Sequence, residues 1–161
     1  MSKIHALVLA VAGLSAGFAS VAFAGSAADS VTAADAYIRA VPPGQPNSAA
    51  FMVLKNGDSV DHALVGAASP AANVVELHTH VHEDGMMKMR PVDKIDIKAG
   101  GETALQPGGL HIMLIDLTQP LTPGERVPVT LTFEDGTSKN IDAEVRKLQM
   151  QMQGMQHGVG H

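Results

Sequence analysis

Two histidines and two methionines stand out between residues 74 and 117 because of their types and their spacing. His78 is followed by ten residues and then by Met89, and Met89 is followed by 21 residues and then by His111. His111 and Met113 form a His-x-Met step. Imidazole nitrogen and thioether sulfur together suit copper, above all the soft ion Cu(I). These four residues therefore predict a copper site.

Other metals fit this ligand set less well. Zn²⁺ prefers imidazole, carboxylate and thiolate, while iron, manganese and magnesium need more oxygen ligands. The chain contains no cysteine, which excludes disulfides, thiolate catalysis, iron–sulfur clusters, cysteine zinc sites and blue-copper centres. A thioether has no proton to lose and forms no disulfide, so it suits an oxidising compartment.

The remaining histidines and acidic residues of this region have open roles. His80 shares a strand face with His78, since residues two apart point the same way, and it is either a substitute or an additional ligand. The role of His82 is not assigned, and His62 is interpreted as a satisfied or surface histidine. The nearby acidic residues form no acid/base pair and are interpreted as solvated groups or as partners that orient an imidazole. They are Glu76, Glu83 and Asp84.

Residues 147–161 (KLQMQMQGMQHGVGH) have no core-forming pattern and predict a flexible Met/His-rich C-terminal tail. Methionine often fills protein cores, which explains Met52 in an apolar segment but not methionines among Gln and Gly. Thioethers suit Cu(I), and imidazoles also accept Cu(II). The predicted auxiliary ligands are Met150, Met152, Met155, His157 and His161. A low-complexity tail without a role is the alternative.

Residues 1–24 are typical of an export signal. Lys3 precedes an apolar run over residues 6–21, and Ala22-Phe23-Ala24 provides the small-x-small step that signal peptidase cleaves. The alternative is an uncleaved membrane anchor, although the run is barely long enough for a span. A lipid-anchored form would need a cysteine at the cleavage site, and there is none. We expect an exported, soluble periplasmic protein with no stable membrane insertion after cleavage.

Composition and turn signals predict an all-β domain over residues 25–146. The 161 residues are 45% hydrophobic but only 3% aromatic, and the net charge of −5 argues against nucleic-acid binding. Residues 25–30 are interpreted as a polar lead-in. Eight to ten short strands separated by Gly, Pro, Asn and Asp turns then predict a Greek-key β-sandwich or barrel. The clearest strands cover residues 111–117 and 127–133.

The sequence lacks the common catalytic motifs. It contains no GxSxG context, no phosphate-binding glycine loop and no HExxH. We therefore expect a binding protein and not an enzyme, although a copper-dependent redox enzyme is an alternative. A structural sandwich with incidental Met and His residues is another.

Because of the spacing of its histidines and methionines, the sequence resembles the periplasmic copper chaperone family PCu(A)C. The family motif H-x10-M-x21-H-x-M matches His78, Met89, His111 and Met113 in every ligand and spacing. The resemblance extends over about residues 34–145 and includes the AAFMVLKN, MMKMRPV, LQPGGLHIML and VPVTLTFEDG segments.

This resemblance implies a cupredoxin-like β-sandwich that binds one Cu(I) ion near its surface. It also implies delivery of copper to the Cu(A) centre of cytochrome c oxidase, directly or through a thiol-bearing assembly factor. The Met/His-rich tail is similar to extensions that take part in Cu(II) binding in some members. A periplasmic copper buffer or resistance protein without a dedicated client is the alternative function.

Overall fold

A computed structural model describes residues 25–148, which form ten strands and one short helix. The elements are α1 (Ala27–Ser30), β1 (Val31–Arg39), β2 (Ser48–Asn56), β3 (His62–Ala68), β4 (Ala72–Glu83), β5 (Met86–Pro91), β6 (Ile95–Ile97), β7 (Glu102–Leu105), β8 (His111–Leu117), β9 (Arg126–Phe133) and β10 (Ser138–Arg146). The prediction of an all-β fold is confirmed. The predicted signal and residues 149–161 of the predicted tail lie outside the described residues.

The strands are joined in one continuous hydrogen-bonded path that folds over into a β-sandwich. The strand order is β5-β4-β8-β2-β1-β10-β9-β3-β6, and β7 pairs with β2 beside β8. Among the paired strands of residues 25–148, all pairings are antiparallel except the one between β1 and β10. No helix in this part of the chain is long and apolar enough to cross a membrane.

The core lies between strands from opposite ends of this path. Leu77 of β4 and Ile112 of β8 belong to the same buried cluster as Leu64 of β3 and Leu131 of β9. Strand β9 shows the cause most clearly, because every second residue from Val127 onward is buried and the residues between them are more exposed. This period-two pattern gives each strand one apolar face, and burial of that face closes the sandwich.

The prediction that residues 25–30 form a polar lead-in is wrong in one respect, because these residues contain the helical turn α1. The backbone N–H of Ala27 donates to Asp135 at 2.8 Å, and the N–H of Ala28 donates to Thr137 at 3.0 Å. Ala27 is fully buried. These acceptors lie more than a hundred residues away in sequence. The local signal is the Ser-x-x-Asp spacing, because Ser26 caps the turn and accepts from the N–H of Asp29 at 3.2 Å.

Strands β4, β5 and β8 form one end of the path and carry the predicted ligands. Leu77 pairs with Ile112 on the inner face, where both side chains join the core. The next residue of β4, His78, therefore points to the outer face, because successive side chains in a strand alternate. The packing of the core thus decides which face of this end presents the histidines.

Candidate metal centre

The register of β4 against its two neighbours places the predicted ligands on one face. His78 lies directly opposite His111 of β8, and His80 lies directly opposite Met89 of β5. Met113 lies opposite Glu76, two residues before His78. Since directly opposed residues and residues two apart share a face, all the predicted core ligands lie on the same side of the sheet.

The imidazole rings are close to one another. The centroids of His78 and His111 are 5.7 Å apart, and those of His80 and His111 are 5.1 Å apart. His80, Met89, His111 and Met113 line a cavity of about 240 Å³. A larger depression of about 690 Å³ lies beside Tyr37 and Arg146, but no histidine or methionine of residues 25–148 lines it. The donor atoms therefore identify the smaller cavity as the candidate site.

A hydrogen bond selects the tautomer of the neutral His78 ring. Its Nε2 atom lies 2.8 Å from a carboxylate oxygen of Glu76, and because a carboxylate only accepts, Nε2 carries the proton. The Nδ1 atom of His78 then holds a lone pair. Among residues 25–148, this Nδ1 is the only buried side-chain nitrogen or oxygen without a hydrogen-bond partner. An unpartnered lone pair of this kind fits a metal ligand.

His111 is held in the complementary tautomer. Its Nδ1 atom donates to the backbone carbonyl of Gly109 at 3.0 Å, which leaves the lone pair on Nε2. His111 is only 2% exposed. Burial lowers its pKa and outweighs the hydrogen bond to Gly109, which acts in the opposite direction, and the charge of Arg39 lowers the pKa further. The ring is therefore neutral at neutral pH, as a metal ligand must be.

The loop between β7 and β8 supplies the acceptor for His111. The N–H of Gly109 donates to Gln106, and the N–H of Gln106 donates to Leu110, so the turn is closed at both ends. Gly108 has a φ of +82°, a conformation that only glycine adopts without strain. This turn fixes the carbonyl of Gly109 beside the histidines.

The two thioethers differ in exposure. Met113 is half-buried, whereas Met89 on the edge strand β5 is 51% exposed. A cluster of three or more His, Cys, Asp or Glu side chains placed to hold a metal is absent from residues 25–148. A metal on this face therefore needs sulfur as well as nitrogen, which is the preference of Cu(I).

The acidic residues near the histidines have distinct roles. Glu76 orients His78, as one of the two sequence interpretations proposed. Glu83 instead pairs with Lys88 and Arg90, and Asp84 occupies the turn between β4 and β5 with a φ of +52°. Glu76 lies beside His78 because residues two apart in a strand share a face, whereas the ion pairs of Glu83 depend on the pairing of β4 with β5.

His78 lies beside His111 but does not line the cavity, and two further histidines lie elsewhere. His62 is buried and satisfied by hydrogen bonds to Glu134 and Asp58, which agrees with its interpretation as a satisfied histidine. His82 is exposed and lies opposite Met87, one step nearer the tip of the β4–β5 hairpin. The predicted tail ligands Met150, Met152, Met155, His157 and His161 lie outside the described residues.

Solved structures of similar fold place this domain in the PCuAC class. The copper-bound PCuAC domain from PmoF2 is 23% identical, with a TM-score of 0.62 over 73% of this chain and 93% of that one. The solution structure of Cu(I)-DR1885 from Deinococcus radiodurans is 38% identical, with a TM-score of 0.62 over 79% and 83% of the two chains. The predicted resemblance and the cupredoxin-like fold are thereby confirmed.

Sequence comparison gives the family itself. The chain belongs to the LpqE-like family, described as putative lipoprotein LpqE-like, whose profile matches residues 31–145. The putative lipoprotein Lxx21020 of Leifsonia xyli subsp. xyli is 37% identical over 76% of this chain and 73% of its own length. The uncharacterized protein RP573 of Rickettsia prowazekii is 31% identical over 62% of this chain and 55% of its own length.

Proposed function

We propose that this protein is a periplasmic copper chaperone that binds Cu(I) and transfers it to a partner. The ligands would be His78 through Nδ1, His111 through Nε2, and the sulfur atoms of Met89 and Met113. The observation that carries the proposal is that each of the two rings has one nitrogen left over from its hydrogen bond, and that both histidines lie on the face that also carries Met89 and Met113. The copper-bound relatives support the same metal.

The exposure of Met89 supports transfer over permanent storage. It lies at the sheet edge, where a partner can approach it. We propose that a partner's thiolates displace the thioethers one at a time, because thiolate binds Cu(I) more strongly than thioether does. The receiving protein would be the Cu(A) subunit of cytochrome c oxidase or a thiol-bearing assembly factor. Export by residues 1–24 and copper capture by residues 147–161 are further parts of this proposal.

X-ray absorption on the Cu(I)-loaded protein tests the site. We define a tail-silent variant in which the tail methionines become leucine and its histidines become asparagine, so that only residues before the tail contribute. It carries Met150→Leu, Met152→Leu, Met155→Leu, His157→Asn and His161→Asn. We expect one copper ion with a mixed shell of sulfur and nitrogen. A shell of nitrogen and oxygen alone, or no bound copper, would show that the four-residue site is wrong.

Glu76 should strengthen copper binding without touching the metal. Replacing Glu76 with alanine removes the acceptor that holds the proton on Nε2 of His78, so we expect Cu(I) affinity to fall about tenfold. Competition with a chromophoric Cu(I) chelator measures this change. The matched control is Glu83→Ala on the same strand, because Glu83 pairs with Lys88 and Arg90 and, within residues 25–148, forms no ion pair with a histidine. Equal losses in both variants would refute an orienting role for Glu76.

Delivery and buffering are distinguished in cells. A strain that lacks a copper chaperone should lose oxidase activity when copper is scarce and recover it when copper is added. A strain that lacks only a buffer should instead become sensitive to excess copper with normal oxidase activity. The second result would replace delivery with the buffering function.

A further inference from the structure

Arg39 brings a permanent positive charge to the cavity of the candidate centre. It lines this cavity together with Met89, His111 and Met113. A guanidinium stays protonated in proteins, so its charge does not depend on the surroundings. The charge acts on the centre itself, because it lowers the pKa of His111. The thioethers and imidazoles of the cavity therefore lie in the field of a fixed cation.

The strand register explains how a residue of β1 reaches a cavity that is centred on β8. Ile38 of β1 and Ile112 of β8 both pair with Ala50 of β2, and all three are buried in the core. Side chains alternate along a strand, so the neighbouring residues of these strands point to the outer face. Those neighbours are Arg39, Ala49 and Met113, and Ala49 lies directly opposite Met113. Because Ala49 has only a methyl group, it leaves room above β2 for the long side chain of Arg39.

The charge of Arg39 is not neutralised by a carboxylate in the described part of the chain. Within residues 25–148, Arg90 pairs with Glu83 and Arg146 pairs with Asp35 and Glu144, but no ion pair involves Arg39. The four proposed copper ligands are neutral side chains, so a Cu(I) ion adds a second positive charge beside the guanidinium. Two positive charges without a counter-ion attract an anion. Since the whole chain has a net charge of −5, this attraction is confined to the cavity.

We propose that Arg39 receives the thiolate of the copper acceptor and stabilises the intermediate in which that thiolate and this protein share the ion. The inference rests on the proposed function, because it names the residue that guides the exchange of ligands. Met89 is the exposed thioether and lines the same cavity, so a thiolate that replaces it enters beside Arg39. Arg39 is thus a positioning residue and not a ligand.

The exchange step is balanced without any change in oxidation state. The acceptor's thiol first gives its proton to water. A bond between copper and the thiolate sulfur then forms as the bond between copper and the sulfur of Met89 breaks, and copper remains Cu(I) throughout. The guanidinium lowers the free energy of this step because the incoming group is anionic, and it offers no such advantage to an uncharged acceptor.

The test measures how fast Cu(I) leaves the tail-silent full chain for two acceptors of different charge. Dithiothreitol binds copper as a thiolate, whereas neocuproine is an uncharged nitrogen chelator. Arg39→Gln removes the charge and Arg39→Lys keeps it. The matched control is Arg126→Gln, which changes the net charge equally. Within residues 25–148, Arg126 also forms no ion pair, and it does not line the cavity.

We expect transfer to dithiothreitol to be at least about tenfold slower in Arg39→Gln than in the parent. Arg39→Lys should stay within about threefold of the parent, because it retains the charge but not the planar fork. Transfer to neocuproine and the equilibrium affinity for Cu(I) should not fall in either variant. Circular dichroism confirms that each variant is folded. If Arg39→Gln does not fold, Arg39→Met removes the charge and keeps an apolar stem of similar length.

The outcomes separate this inference from the function beneath it. An unchanged rate to dithiothreitol in Arg39→Gln, with Cu(I) still bound by the parent, would overturn the role of Arg39 and leave the chaperone site intact. Equal slowing toward both acceptors would also overturn it, because the effect would not depend on the acceptor's charge. Equal slowing in Arg126→Gln would do the same, because the effect would not depend on the cavity. Failure of the tail-silent parent to bind Cu(I) would overturn the proposed function itself.

Discussion

Replacing Met89 and Met113 together with leucine should lower the affinity for Cu(I) at least about a hundredfold, since removal of outer-shell partners alone costs about 10–100-fold. Leucine has nearly the volume of methionine but no donor atom. Leu-for-Met exchanges usually cost less than about 1.5 kcal/mol of stability, and Met89 is half exposed. We therefore expect a folded protein that has lost the soft half of its ligand set. Chelator competition and thermal unfolding of the same samples measure the two effects.

The control for this experiment uses two other methionines of β5, the strand that carries Met89. Met86 and Met87 are 60% and 50% exposed, and neither lines the cavity with His111. The double variant Met86→Leu, Met87→Leu also removes two sulfur atoms, both from β5. We expect its Cu(I) affinity to stay within about threefold of the parent. A loss as large as that of the Met89 and Met113 variant would mean that copper is held by the whole exposed methionine surface.

Strand positions could be predicted because each strand carries its own local signal. The alternation of residues 127–133 and the Pro/Gly turns bound the strands without information from the rest of the chain. The Ser-x-x-Asp spacing that caps the helical turn α1 is local, but the bonds that join its backbone donors to Asp135 and Thr137 on a distant hairpin could not be predicted. Long-range hydrogen bonds of this kind leave no pattern in the segment that they order.

The candidate site likewise has one part that the sequence predicts and another part that only the folded structure shows. His111 and Met113 share a face because residues two apart in a strand always do, so the sequence alone predicts that pair. The opposition of His78 to His111 and of His80 to Met89 depends on the registers of two strand pairs. The tautomers depend further on Glu76 and on the carbonyl of Gly109. The strand registers and the contact of His111 with Gly109 can be known only from the folded structure.

A second ionisable cluster lies away from the metal site and should control stability. His62 is 7% exposed and is placed between two carboxylates, with Nδ1 2.6 Å from Glu134 and Nε2 3.2 Å from Asp58. The hydrogen bond to Glu134 raises the pKa of His62, and Asp58 raises it further against the opposing effect of burial. Glu134 also accepts from the N–H of Ala63 at 2.8 Å, so the cluster joins β3 to the end of β9.

The direction of the pH dependence follows from these shifts. Because the pKa of His62 is raised in the folded state above its ordinary value of 6.5, its stabilisation is complete below that value and is lost as the pH rises through the folded pKa. Hydrogen bonds from Ser59 and His62 lower the pKa of Asp58. For Glu134, burial acts to raise the pKa, but the hydrogen bonds from His62 and Ala63 outweigh it and lower the pKa. The carboxylates therefore lose their contribution as the pH falls through their own lowered values.

We therefore expect His62→Gln to destabilise the protein most in mildly acidic solution. Loss of hydrogen bonds to charged partners at a buried position costs about 2 kcal/mol near pH 6, which lowers Tm by about 8 °C for a chain of this size. The difference from the parent should shrink as the pH rises from 6 through the raised pKa of His62, because the parent then loses its own imidazolium. Thermal unfolding across this range, without copper, measures both curves.

The control for His62 is an exposed ion pair in the same region. Lys98 and Asp61 are 2.9 Å apart, with side chains 75% and 56% exposed, and such pairs contribute little because water screens them. Lys98→Gln should leave Tm nearly unchanged and keep the parent's pH dependence. A His62→Gln curve that runs parallel to the parent from pH 6 upward would show that the ring acts by packing alone. Convergence of the curves would instead assign the loss to the imidazolium between Glu134 and Asp58, because packing does not change with pH.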